Sequence, residues 1–266
     1  MTLIVCDVDG TLVDKDKQVT APTIAAVKRL GDAGVGFTII SARPRSGLAP
    51  VADALALDTP MGAFNGGIVF RRDGTVLCHH TIEEAVARGA IELARDLPVD
   101  IWVFADDQWF ASSDQGVHVP SERVSSDQEP VIRDDFADLL DRADKITFVS
   151  DEPAVLDTLY DAAMARFDGR ATIVKSQAYY LDITATAANK GDGIAILAHA
   201  MGVPLDRTIA IGDQANDLAM FARAGRSIAM GNATDAVKAR ADDVTTGNDA
   251  DGVAHAIDTL ILGRMM

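Results

Sequence analysis

The chain has almost no cysteine, little glutamate and few basic side chains, and each shortage narrows what it can be. Two cysteines in 266 residues, Cys6 and Cys78, cannot build a disulfide framework, and neither sits at a zinc-type spacing. Both lie in apolar, strand-like runs and are expected to be core thiols. Lys and Arg number 24 against 40 acidic residues, a net charge of −16. Such a surface repels a phosphate backbone, so no nucleic-acid partner is expected. The excess is almost all aspartate, 34 against 6 glutamates, and it also opposes a small anionic substrate unless local cations or a metal reverse the field. No apolar run reaches membrane-spanning length and no basic segment precedes an apolar one at the N-terminus. A soluble, cytoplasmic protein without a membrane partner is therefore expected. A Walker lysine motif and H-E-x-x-H are both missing. The glycine rhythm of "GDAGVG" (31–36) follows a helical pattern instead of a strand, so it lacks the context of a dinucleotide fingerprint.

What is present is an ordered set of apolar runs that end in polar residues. "LIVCDVDG" (3–10), "VGFTIISAR" (35–43) and "TIAIGDQAND" (208–217) carry β-branched residues without strict alternation, the pattern of buried parallel strands. Between the first two, Thr20 is a candidate N-cap, Pro22 falls in the first turn, Ile24, Val27 and Leu30 have helical spacing, and Gly34 closes the run. That is a β-α-β unit. A further alternation follows: a helix over 191–201, the strand at 208, a helix over 215–224 and the short strand "SIAM". The middle reads differently. Thr81 and Glu84 have the spacing of a capping box for a helix running to about Leu97. Paired strand-like runs follow at "VDIWVFAD" and "QWFASS", then "KITFVS", a helix over 153–167, "ATIVKS" and "AYYLDIT". Residues 114–135 read as a long polar loop. The expected architecture is α/β: a doubly wound, Rossmann-like parallel sheet from 1–80 and 187–266, with an α+β domain of antiparallel strands, 81–186, inserted into it.

Four constellations carry chemistry. Asp7 and Asp9, two apart, point to one side of an extended chain while Val8 points inward, and Gly10 with Thr11 offers a tight turn with N–H groups. An acidic turn or half of a calcium loop is the plainer alternative, although Gly10 is too early for an EF-hand. "GDQAND" brings Asp213, Asn216 and Asp217 to the end of another strand, where ligands gather in open α/β sheets. Three carboxylates there call for a cation, and Mg²⁺ suits the donor set; helix capping by Asp213 is the alternative. Ser41 and Arg43 end the second strand, although Ser41 has the alternative of capping the next helix. Lys190 opens a helix, where a cation opposes the dipole unless an anion lies in front of it. An exposed surface lysine is the alternative.

Taken together and in this order, "DVDGTLVD", "SAR", "NK" and "GDQAND" resemble the four motifs of the haloacid dehalogenase superfamily of phosphohydrolases. "FNGG" (64–67), "AMGNA" (229–233) and "TTGNDADGVA" (245–254) are similar to its Cof-type branch, whose large cap is inserted between the second and third motifs. The chain departs from the family pattern at Ala42, where glycine is frequent, and in lacking a proline before Lys190. The resemblance implies a Mg²⁺-dependent phosphatase acting on a small phosphorylated metabolite, with a sugar phosphate foremost. Asp7 is then the nucleophile that forms an aspartyl-phosphate, and Asp9 the acid and base. Lys190, Ser41 and Asn216 act on phosphate. Asp7, Asp213 and Asp217 hold the metal, with Asp9 adding its backbone carbonyl. Asp9 is expected to have a raised pKa, pushed up by Asp7 and the phosphate. Arg43 and Asn65 are expected at the rim, and His118 and Arg123 are the candidates for substrate contact from the inserted domain. A phosphomutase and a non-catalytic phospho-acceptor or sensing module are the alternatives, and a monomer or small homo-oligomer is expected.

Overall fold

A computed structural model describes residues 1–264. In chain order the strands are β1 (Leu3–Cys6), β2 (Gly36–Ile39), β3 (Met61–Ala63), β4 (Ile68–Phe70), β5 (Val76–His79), β6 (Asp100–Ala105), β7 (Gln108–Ala111), β8 (Val131–Ile132), β9 (Ala143–Val149), β10 (Thr172–Gln177), β11 (Tyr180–Thr184), β12 (Thr208–Gly212), β13 (Arg226–Ala229) and β14 (Asp243–Val244). The α-helices are α1 (Ala21–Asp32), α2 (Arg45–Ala54), α3 (Glu84–Ala94), α4 (Val119–Ser126), α5 (Pro153–Phe167), α6 (Lys190–Ala200), α7 (Leu218–Phe221), α8 (Asp235–Lys238) and α9 (Gly252–His255). No helix among the described residues is long and apolar enough to cross a membrane.

The chain divides into two compact units: one of Met1–Arg43, Leu48–Cys78 and the chain from Asn189 onward, the other of Pro44–Gly47 and His79–Ala188. The expected span 187–266 also includes Met265 and Met266, which lie outside the described residues.

In the first unit a five-stranded parallel sheet has the order β14-β13-β12-β1-β2. Chain connectivity runs outward from β1 to β2 on one side and from β12 through β13 to β14 on the other. The order therefore reverses between β1 and β12, and the carboxyl ends of those two strands flank the crevice in which such sheets bind ligands. β1 is completely buried, as its unbroken apolar run requires. Thr20 does cap α1, its hydroxyl accepting the Thr23 N–H at 3.4 Å. A three-stranded sheet, β3-β4-β5, occupies residues the sequence reading left unassigned.

The second unit is built on a six-stranded sheet, β10-β11-β9-β6-β7-β8, antiparallel except where β8 joins β7. Val103, Ala105, Ile146, Phe148, Leu181 and Ile183 point to one face and form a core with residues of α3 and α5. By alternation Trp102, Phe104, Lys145, Thr147, Tyr180 and Asp182 take the other face.

Two expectations are corrected here. Thr81 does not cap α3; the N-cap is Glu83, and no side chain caps the helix. Ile82 donates its N–H to the Ala143 carbonyl at 2.8 Å, which keeps this stretch outside the helix. Residues 114–135 are not one loop, since they contain α4 and β8. α4 is short and polar, and only Val119, Glu122 and Ser126 are buried, too few to leave a helical period in the sequence.

Candidate active site

The extended chain of β1 stops at Cys6, and residues 8–12 turn back in a kinked helical loop. Gly10 makes the turn possible, with φ +79° and a Cβ position that would fall 2.6 Å from Asp213 Oδ2. The loop separates the two aspartates chemically. Asp7 is buried and accepts from Lys190 Nζ at 2.5 Å. Asp9 is half-buried and gripped by Arg43, Nε to Oδ2 at 2.7 Å and Nη2 to Oδ1 at 2.8 Å, with Lys17 Nζ at 2.6 Å from Oδ1. They share a turn but have separate partners.

At the end of β12, Asp213 accepts from Thr11 Oγ1 at 2.9 Å and Gln214 Nε2 at 2.8 Å. The helical turn after it is capped by Gln214 in a reciprocal box with Asp217, so Asp213 is not a cap. Asp217 is completely buried. Its Oδ2 accepts the N–H groups of Asp213 and Gln214, both at 2.8 Å, and its Oδ1 accepts from Lys190 Nζ at 2.6 Å. Gly212 is required beneath it, because a Cβ there would lie 2.3 Å from Asp217 Cγ. Lys190 is 2% exposed, which removes the surface-lysine alternative. It is the first residue of α6, after an Asn189 cap.

Asp7, Asp213 and Asp217 bring carboxylate oxygens within 4.8 Å of one another. One ammonium, that of Lys190, faces three buried carboxylates. Burial raises the Asp7 pKa against the opposing effect of Lys190, and Asp217 and Asp213 raise it further. Burial raises that of Asp213 as well. Burial alone would lower Lys190, but Asp217 and Asp7 outweigh it and hold its pKa above the ordinary value. An all-oxygen donor set with this deficit of positive charge fits a hard divalent cation such as Mg²⁺.

Asp9 behaves contrary to expectation. Burial would raise its carboxyl, but the bonds and charges of Arg43 and Lys17 hold it down at about 2. Arg43 is itself buried and engaged with Asp9, not standing at a rim. Ser41 does not cap α2, which begins four residues later. Its hydroxyl accepts the Arg43 N–H at 3.2 Å, and its carbonyl accepts the Asn65 N–H at 2.7 Å. Asn65, in the left-handed region with φ 58°, accepts from Asn216 Nδ2 at 3.2 Å. Ser41, Asn65 and Asn216 are thus linked through one chain of hydrogen bonds.

In the second unit His118 Nε2 lies 2.7 Å from Asp151 Oδ1, with its ring stacked on Tyr179 at 3.6 Å. Arg123 donates to Glu129 at 2.7 Å. Three contributors to the first unit's site were not singled out from sequence: Lys17, Gln214 and Asn232. Asn232 donates to the Gly10 carbonyl at 2.8 Å and reaches Asp213 at 3.4 Å. Its place in "AMGNA" was a usable signal; nothing in sequence distinguishes Lys17 from its neighbour Lys15.

The sequence profile of the haloacid dehalogenase-like hydrolases matches residues 4–257. The chain is 30% identical over 262 residues to the 5-amino-6-(5-phospho-D-ribitylamino)uracil phosphatase YitU of Bacillus subtilis, with 95% of each chain covered. It is 26% identical over 265 residues to an Arabidopsis thaliana protein named Endoribonuclease YBEY, chloroplastic; 96% of this chain is aligned but only 45% of that protein's length. Among solved structures, a haloacid dehalogenase-like hydrolase from Bacteroides thetaiotaomicron matches with a TM-score of 0.89 at 27% identity, covering 97% of this chain and 99% of the other.

Proposed function

Because this chain belongs to the haloacid dehalogenase-like hydrolases, we propose that it is a phosphatase in which Asp7 attacks the phosphorus of a small phosphorylated metabolite, foremost a sugar phosphate. The observation that carries this reading is the buried Asp7–Lys190–Asp217 array at the reversal point of the sheet. Asp7 lies at the carboxyl end of the first strand with its carboxylate oriented by an ammonium that is itself fixed by Asp217. Attack forms an aspartyl-phosphate and expels the alcohol; water then attacks phosphorus and regenerates Asp7. Lys190 and the Ser41 hydroxyl stabilise charge on the phosphoryl oxygens, and Asn216 and Asn65 line the approach. Asp7, Asp213 and Asp217 would hold Mg²⁺, with the Asp9 carbonyl as a further oxygen. The ion supplies positive charge to the phosphoryl group. We assign choice of the leaving group to the second unit, acting as a cap.

Asp9 is the proton carrier in this reading, although its carboxylate rests on Arg43 and Lys17. Those bonds must be exchanged for the substrate's bridging oxygen before Asp9 can carry a proton. Phosphate release from a metabolite panel with Mg²⁺ tests the function, and Asp9→Asn within that assay tests the role. Aryl phosphates leave with less acid assistance, so the first step should suffer less for them than for alkyl phosphates. Equal losses for both would count against Asp9 as the acid.

The metal is tested through stability. Asp213→Asn removes one of three crowded carboxylates, so its melting midpoint in EDTA should be no lower than that of the unaltered chain. Binding to the native state alone stabilises by about 2.7 kcal/mol at a hundredfold excess over Kd. Asp213→Asn should lose most of the corresponding Mg²⁺-induced rise. A variant that kept the whole rise would remove Asp213 from the ligand set.

A further inference from the structure

Asp9 stands between two cations that hold its two oxygens unequally. Arg43 donates through Nε to Oδ2 at 2.7 Å and through Nη2 to Oδ1 at 2.8 Å, and Lys17 Nζ adds a second bond to Oδ1 at 2.6 Å. Freeing Oδ2 therefore breaks one bond, whereas freeing Oδ1 breaks two. The backbone that delivers Lys17 is strained, with φ +61°, in the left-handed region a lysine seldom adopts. Such a residue persists where its surroundings over-determine it, and Asp14 does so here. Its Oδ1 accepts the N–H groups of Asp16 and Gln18, both at 2.9 Å, its N–H donates to the Gln18 carbonyl at 3.0 Å, and its carbonyl accepts the Lys17 N–H at 3.1 Å. The segment is also tied from outside, by the Lys15 N–H to Asp249 Oδ1 at 2.9 Å and Asn248 Nδ2 to the Val13 carbonyl at 3.0 Å. This turn returns the Lys17 ammonium to a carboxylate eight positions earlier, and among the described residues it bonds to nothing else. With side chains 35% and 34% exposed, the pair contributes little to stability. Stability gives no reason for a strained lysine at this place; orientation of Asp9 does.

We infer that Lys17 is a positioning residue of the phosphatase reaction: it holds Asp9 through Oδ1 while Oδ2 passes from Arg43 Nε to the leaving group's oxygen. The inference rests on the phosphatase reading and deepens it, naming the atom that moves the proton and the group that steadies it. In the first step Asp7 forms a bond to phosphorus, the bond from phosphorus to the bridging oxygen breaks, and that oxygen takes the proton from Asp9 Oδ2, leaving a carboxylate. In the second, a water oxygen attacks phosphorus, its proton passes to Asp9 Oδ2, and the bond between phosphorus and Asp7 breaks. Arg43 grips the carboxylate as a planar fork, so opening one arm of the fork leaves Asp9 free to swing about the other. Lys17, reaching Oδ1 from a separate turn, prevents that swing. Proton transfer requires the carrier to stay within hydrogen-bond reach of its target, which a swinging carboxylate loses.

The test uses the full chain with Mg²⁺ and two esters of similar shape, phenyl phosphate and 4-nitrophenyl phosphate, of which the first releases the more basic oxygen and needs more acid assistance. Lys17→Met should lower kcat/KM for phenyl phosphate relative to 4-nitrophenyl phosphate by at least about fivefold, through kcat and with little change in KM. A residue that only supported the fold would slow both esters alike. Lys15→Met removes the same charge nearby in the chain, at an exposed side chain with no partner among the described residues, and should leave the ratio unchanged. In an Asp9→Asn background Lys17→Met should cost less than about twofold more, because a residue that acts through Asp9 then has nothing to act on. If Lys17→Met fails to fold, Lys17→Gly decides, since it removes the same donor and relaxes the left-handed backbone. A smaller change of the ratio in a folded variant overturns the inference, as does an equal change with Lys15→Met or a larger cost beside Asp9→Asn. Where the unaltered chain does not hydrolyse both esters but releases phosphate from the metabolite panel, the cycle with Asp9→Asn on the fastest panel member decides alone. Release of phosphate from none of them overturns the phosphatase reading and this inference with it.

Discussion

Asp7→Asn is expected to lower kcat by at least about 10⁴-fold, the scale on which removal of a covalent nucleophile acts in other hydrolases. The substitution removes the attacking charge and keeps the shape of the side chain, including an oxygen able to accept from Lys190. Its effect on stability should be small or favourable. Asp7, Asp213 and Asp217 share one ammonium, so a neutral side chain at position 7 relieves repulsion among the rest. The informative result is the combination: an inactive protein whose midpoint in EDTA equals or exceeds that of the unaltered chain. Activity within tenfold of the unaltered chain, with an unchanged melt, would falsify the assignment of Asp7 as nucleophile.

Lys190→Met should have the largest effect on stability. Lys190 is 2% exposed and, among the described residues, is the only cation bonded to both Asp7 and Asp217. Taking it away leaves two buried carboxylates without their counter-charge, a change that costs about 3–5 kcal/mol when one partner of a buried pair is removed. At about 2–4 °C per kcal/mol for a chain of this size, the midpoint in EDTA should drop by roughly 6–20 °C. Two further measurements separate electrostatics from packing. Asp217→Asn added to Lys190→Met should recover part of the loss, since the two residues act as a unit and their effects are not additive. Millimolar Mg²⁺ should recover part as well, by returning positive charge to the carboxylates. A drop of less than about 2 °C would mean that the array carries little of the unit's stability, and strict additivity in the double variant would dissolve the coupling between Lys190 and Asp217.

Motif residues of the site were legible because each lies at a chemically marked place in the chain. Asp7 and Asp213 end apolar runs, Lys190 opens a helix after an asparagine, and Gly10 and Gly212 stand where a side chain would collide with a carboxylate. The partners of those residues were less legible. Arg43 was expected at a rim and instead holds Asp9, because the approach of its guanidinium depends on how β2 lies beside β1, a pairing across 34 positions of chain. The low pKa of Asp9 follows from that same pairing, and from Lys17, whose charge looks no different in sequence from that of Lys15. Thr81 and Glu84 have the spacing of a capping box, yet the bond from Ile82 to Ala143 overrides a local preference with a tertiary one.

By itself the sequence determined the α/β class, the parallel sheet built from both ends of the chain, the antiparallel strands of the middle, and the identity of the buried acids and the lysine. These follow from the period of apolar residues and from chain stereochemistry, which act over a few neighbouring positions. Only the tertiary structure decided which charges neutralise which. The ammonium of Lys190 meets Asp7 across 183 positions. Electrostatic energy depends on distance and burial in three dimensions, and neither is encoded in the spacing of residues along the chain.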